Sequence, residues 1–335
     1  SVTLDFYSPS ARISIPQKLS TAAPAAFFHS GEPMKLPVLS CFVALATFIP
    51  AGAMADITLY GKANLSLEYV DHQEDSFSEL MSNASRLGFK GKEKIHDTLE
   101  AIYLLEYQVD VEDADTFSQR NIYVGLKGGF GQVIAGHFDT PLKSVQGKVD
   151  VFNDLRGDIT RMITNNEHRL SNSVMYSTPS LGGFSAHLAY INSEQDDVDD
   201  GKSLALSYTL GGLYLGAAFE QDVVQMNSET LRLVVTYAVG GLQLGAFYEE
   251  DEQDGQDSTD GWLVSALYGF QSRWVVKAQY GQSDMRYVGG DTASVGVDYK
   301  FTNNFTLYSF YNTNSADNDA MDQAYLAVGV DLKFN

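Results

Sequence analysis

Cysteine is almost absent, with Cys41 the single thiol in 335 residues. That excludes a disulfide framework and, once Cys41 is removed as argued below, any thiolate metal cage or thiol catalysis. Proline is scarce at 8 residues, so little interrupts long backbone-paired segments. Positive charge is short as well: 22 Lys and Arg face 43 Asp and Glu, for a net charge of −21. Phosphate binding needs a basic patch, so no nucleic acid partner is expected. Past Ala55 no apolar run approaches the ~20 residues required of a membrane-crossing helix.

What is present begins with an export signal. Met34-Lys35 opens the nearly apolar run Leu36–Ala53, and Ala53-Met54-Ala55 supplies the small residues that precede a cleavage point before Asp56. Pro37 and Pro50 bracket a stretch too short to span a membrane. A lipid anchor at Cys41 is disfavoured, because few apolar residues separate it from Lys35. Residues 34–55 are therefore expected to be a cleaved signal peptide. Residues 1–33 show no periodic pattern and are expected to be a non-native or untranslated upstream extension.

From Ile57 onward the chain alternates. Ile57, Leu59, Gly61, Ala63, Leu65, Leu67 and Tyr69 are apolar or small, while Thr58, Lys62, Asn64, Ser66 and Glu68 are polar. A period of two puts each set on its own face of a strand. The pattern returns in 99–109 and 230–239, and counting to the end gives about sixteen strands in 56–335. Short glycine turns such as Gly211-Gly212 and Gly240-Gly241 alternate with long polar links. Those long links are expected at 71–83, 112–118, 139–169, 192–201, 222–229, 249–260, 283–291 and 312–322. Long loops on one side and short turns on the other are the asymmetry of a transmembrane antiparallel β-barrel. A soluble sandwich also alternates, but it manages with strands nearer 5–6 residues and turns its apolar face inward.

Specific residues then resemble a known family, the Gram-negative general diffusion porins. Asp56-Ile57-Thr58-Leu59-Tyr60-Gly61 is similar to their first strand, and Ser85-Arg86-Leu87-Gly88-Phe89-Lys90-Gly91 to their second. Residues 124–131, 172–179 and 183–185 continue the likeness in order. The resemblance implies a sixteen-stranded all-β barrel in the outer membrane, a homotrimer, with the third external loop (here 139–169) folded inward as a constriction. It implies passage of ions and small hydrophilic solutes, with no cofactor and no catalysis. His137 stands where the family commonly has an arginine. Gly329, Leu332 and Phe334 keep the spacing of the family's terminal signal, which implies insertion by the barrel assembly machinery.

A pore sorts solutes with a water-filled lumen and a charged narrowing. Strand parity puts Arg86, Lys90 and Lys92 on the lumen side, with His137 and Arg169 inward by the same count. The loop supplies Asp150, Asp154, Asp158 and Glu167, so an acidic loop would face a basic wall. These acids could instead be solvated, or pair with Arg156 and Arg161 in the loop itself. Asp196–Asp200 and Glu249–Asp254 are expected as solvated external acids that attract cations, giving a weak cation preference. Divalent cations held there would bridge to lipopolysaccharide. A barrel enzyme would need a nucleophile beside a base, and none of the histidines after Asp56 sits in a hydrolase motif. A substrate-specific channel would use an aromatic track, for which Tyr60, Tyr123, Tyr214 and Phe310 have inward parity.

Overall fold

The computed structural model describes residues 56–335 apart from 73–74, 113–115, 195–197 and 319–321. The export signal and the upstream extension expected from the sequence lie outside the described residues.

The alternating segments form strands β1 (Asp56–His72), β2 (Asp75–Ser82), β3 (Arg86–His96), β4 (Leu99–Val109), β5 (Phe117–Gly128) and β6 (Gly131–Asp139). Two short helices follow, α1 (Pro141–Val145) and α2 (Ile159–Met162). Then come β7 (Arg169–Ser177), β8 (Phe184–Ile191), β9 (Gly201–Leu210), β10 (Leu213–Gln221), β11 (Ser228–Val239) and β12 (Leu242–Gln253). The last are β13 (Thr259–Phe270), β14 (Trp274–Ser283), β15 (Gly290–Lys300), β16 (Phe305–Ser315) and β17 (Gln323–Phe334). Apart from β2 and β3, chain neighbours pair antiparallel, and β1 pairs with β17 from Gly61↔Phe334 to Asp71↔Ala324, which closes the sheet. Both β2 and β3 pair with β1, so they are two pieces of one strand broken at residues 83–85. The wall is therefore a closed barrel of sixteen strands.

Closure removes every sheet edge, the condition for crossing lipid with strands. Burial is inverted relative to a water-soluble core. Leu67 is 62% exposed and Val328 54%, whereas their neighbours on the other face, Ser66 and Glu68, are 1% and 0% exposed. An outward ladder of rings, Tyr268, Phe270, Trp274, Tyr299, Phe301 and Phe305, follows the short turns with successive centroids 4.7–6.5 Å apart. Such a girdle suits a membrane–water interface. At the β11–β12 turn Gly240 and Gly241 take φ of +57° and +89°, which a two-residue hairpin of this twist requires.

Three expected links differ most, that at 312–322 beginning only after Ser315, where β16 ends. Most of 71–83 is strand, because β1 reaches His72 and β2 fills Asp75–Ser82. The 249–260 link is shorter than expected, since β12 continues to Gln253. Glu249 is thus not a solvated loop acid; it is fully buried on the lumen face, where an arginine neutralises it.

Candidate functional site: a charged opening beside an inward loop

After β6 the chain turns into the barrel instead of away from it. Thr140 caps α1, its hydroxyl accepting the Lys143 N–H at 3.2 Å, with Pro141 in the first turn. Leu142, Val145, Val149, Ile159, Met162 and Ile163 pack on Ala205, Ala218, Val234, Phe247 and Leu263 of the inner wall. Phe152 and Leu155 pack on Val70, Tyr308, Phe310, Tyr325 and Ala327. Full burial of such side chains contributes about 1.5–3 kcal/mol each. The wall makes room by being small there. A Cβ on Gly216 would come within 2.7 Å of Val145, and one on Gly245 within 3.0 Å of Val149.

Polar ties then set the loop's shape. The Asp150 carboxylate accepts the N–H groups of Phe152 and Ile159 at 2.9 and 3.0 Å, cinching the turn between them. Burial, reinforced by Asp158, pushes its pKa well above the ordinary range. Asp158 caps α2, accepting the Thr160 N–H at 2.8 Å, and also takes the Asp154 N–H at 2.6 Å. Asp154, at φ +69°, turns its carboxylate onto the wall, 2.8 Å from Lys62 Nζ and 3.6 Å from Arg86. Burial alone would raise that carboxyl, but the Lys62 ammonium outweighs it and holds it below the usual range. Arg156 pairs with Glu68 at 2.6 Å and with Glu79, so it neutralises the wall and not the loop acids.

Beside the loop an opening of about 510 Å³ is lined by Asp139, Asp154, Asp158 and Glu167 together with Arg120, Lys143, Arg161 and Arg169. Most of these charges are paired. Asp139 lies 2.7 Å from Arg169 and 3.2 Å from Lys143. On the wall Arg120 contacts Glu106 at 2.8 Å, and the Tyr60 hydroxyl donates to the same carboxylate. Glu167 sits between Arg232 at 2.5 Å and Lys143 at 3.9 Å. Burial pushes the Glu167 carboxyl up to about 7, with Arg232 and Lys143 pulling the other way.

Of the residues singled out from the sequence, Asp154, Asp158, Glu167 and Arg169 line this opening, and Arg86 reaches it through Asp154. Asp150 does not; it is a buried turn residue. Lys90 lies on the inner face of β3 with its ammonium 5.1 Å from the centre of the Tyr60 ring, apart from the opening. His137 is a correction. It shares its face with exposed Val133 and Ala135 and stands opposite Ile122, so it points out of the barrel, 2.9 Å from the Ser171 hydroxyl. The extra residue of the nearby bulge lies in β7, where Gly136↔Ser173 is followed by Phe138↔Leu170, so β6 alternates without a break and its regular parity turns His137 outward; the inward expectation was off by one residue near the strand end.

Lys62, Arg120 and Arg232 were missed as site residues, although all three are basic residues at inward parity in strands. Tyr214 and Phe310 are inward as counted but serve the loop. Tyr214 donates to the Val145 carbonyl at 2.8 Å, and Phe310 meets Phe152 edge-on at 6.3 Å.

The family described as Gram-negative porin matches residues 42–320. Major outer membrane protein P.IB of Neisseria gonorrhoeae is 33% identical over 185 residues, covering 51% of this chain and 51% of that protein. P.IB of Neisseria sicca is 31% identical over 189 residues, 50% of this chain and 53% of the relative. The chain thus spans about half the length of the curated relatives it matches. An anion-selective porin from Comamonas acidovorans superposes with TM-score 0.70 at 22% identity, over 84% of this chain and 100% of that one. Salmonella typhi OmpF gives TM-score 0.72 at 20% identity, over 84% and 98%. Likeness at that identity speaks to the barrel alone.

Proposed function

Because the chain belongs to the Gram-negative porin family, we propose that it is an outer-membrane channel for passive diffusion of ions and small hydrophilic solutes. Segment 139–169 is its constriction. The observation that carries this reading is the loop seated inside a closed wall with a charged opening beside it. No bond need be made or broken; the opening sorts solutes by size and charge.

Selectivity divides between two places. In the opening, carboxylates are held against Lys62, Arg86, Arg120, Lys143, Arg169 and Arg232, so little net negative charge faces the lumen. Exposed acids such as Glu229, Glu252, Asp254 and Asp260 are outside the ion pairs found among the described residues and draw cations toward the mouth. A weak cation preference therefore originates at the mouth and is strongest at low salt. Export follows cleavage before Asp56, and the working form is a homotrimer inserted by the barrel assembly machinery and surrounded by lipopolysaccharide.

The test is single-channel current of the refolded protein in a planar bilayer under a salt gradient. Ohmic steps in groups of three, with a cation-signed zero-current potential that shrinks as salt rises, are expected. A folded barrel that passes no current would overturn the channel reading. Intact mass of the exported protein checks cleavage before Asp56.

A further inference from the structure

Most ties between the inward loop and the wall involve one part of the loop. Arg232 is different. It lies in the middle of β11 on the inner face, fully buried, between Ala218 of β10 and Glu249 of β12 in the register. Its Nη1 donates to the Leu142 carbonyl at 3.0 Å and to Glu167 at 2.5 Å, so one nitrogen holds the loop's entry and its exit together. Its Nε donates to Glu249 at 2.5 Å. Glu249 carries the link further, accepting from the Thr164 hydroxyl and from Asn166 at 3.0 Å. The guanidinium also lies 5.0 Å from the centre of the Phe247 ring, one of the wall residues that seat the loop.

We infer that Arg232 is the positioning residue of the channel, the clamp that fixes both ends of the constriction loop and with them the width of the opening. The inference rests on the channel reading above. Arginine suits the task for a chemical reason: its planar fork keeps its charge and holds several acceptors in one fixed geometry, which a lysine ammonium cannot reproduce. The loop's apolar seat lacks that directionality, since van der Waals contact tolerates sliding where a shared donor does not. Removing the guanidinium frees Leu142 and leaves Glu167 and Glu249 buried without the charge that both were bonded to, so the exit of the loop loses its hold on the wall.

The experiment compares Arg232→Lys and Arg232→Met with the wild type in planar bilayers. Folding is checked by heat-modifiable gel migration and circular dichroism. Folded variants are expected to show severalfold greater open-state current noise and altered single-channel conductance, with Arg232→Lys between Met and wild type. A role confined to stability would lower the melting temperature and leave the current of inserted channels unchanged; that result overturns the inference. If neither variant folds, Glu167→Leu, which removes one arm of the clamp because leucine offers no acceptor, decides in the same way: a noisier channel supports the inference and a wild-type trace refutes it. Should wild-type protein itself pass no current, the channel reading has failed; persistent quiet current in every variant means that only the clamp has.

Discussion

Asp154→Asn is the sharpest perturbation of the opening. Asparagine tolerates the left-handed backbone at φ +69°, so the turn survives while one negative charge is lost. The Lys62 ammonium at 2.8 Å and the Arg86 guanidinium at 3.6 Å then face the lumen without a counter-charge. An ion passing ~5 Å away through water feels about 0.8 kcal/mol from one charge. Screening at 0.1 M salt leaves ~0.5 kcal/mol. Cation and anion shift in opposite senses, so their difference changes by about 1 kcal/mol, which is roughly fivefold in permeability ratio toward anions. The assay is zero-current potential across a tenfold salt gradient, with Asp150→Asn as the internal control. Asp150 is buried and bonded to backbone N–H groups, so its replacement should leave the potential unchanged. An Asp154→Asn channel of normal conductance and unshifted potential would refute the placement of that charge, as would an equal shift from Asp150→Asn.

Gly245→Val puts a side chain where Val149 and Ser265 already sit, so the loop must give way. Overpacking of about 1–3 kcal/mol and a changed conductance are expected, measured by thermal melting and single-channel recording. Leu206→Arg places a charge on an outward face that is 52% exposed, mid-strand in β9, and should cost about 2–4 kcal/mol of folding stability in bilayers by denaturant titration. For pH, the Glu167 carboxyl at about 7 lies above its ordinary 4.5. Between those values the folded protein binds a proton that the unfolded chain does not, so stability rises as pH falls from 8 to 5. Protonation also weakens the arm from Arg232, so current noise should grow over the same interval, and Glu167→Gln should abolish both dependences. Burial lowers the pKa of neighbouring His168, so it remains neutral through the upper part of that range.

Local pattern carries much of this protein. Strict alternation from Ile57 to Tyr69 named the outward face of β1, and Leu67 and Tyr69 are indeed exposed while Ser66 and Glu68 are buried. Turn residues such as Gly240-Gly241 marked the short connections. Parity was less dependable at strand ends: His137, near the end of β6, falls on the outward face with Val133 and Ala135, and strand extension turned Glu249 from a presumed loop acid into a buried one.

Sequence alone thus determined the class of fold, the strand number and which face meets lipid, because each follows from a period of two read over about ten residues. Pairing between charges far apart in the chain was decided only in three dimensions. Nothing local says that Asp154 will meet Lys62, that Asp150 will be used up by backbone N–H groups, or that Arg232 will reach Leu142 and Glu167 at once. Those contacts depend on how a loop of some thirty residues lies across a closed wall. Its course is set by shape, by the glycines and alanines of β9–β15 that leave it space, and a side chain's periodicity carries no record of what stands opposite.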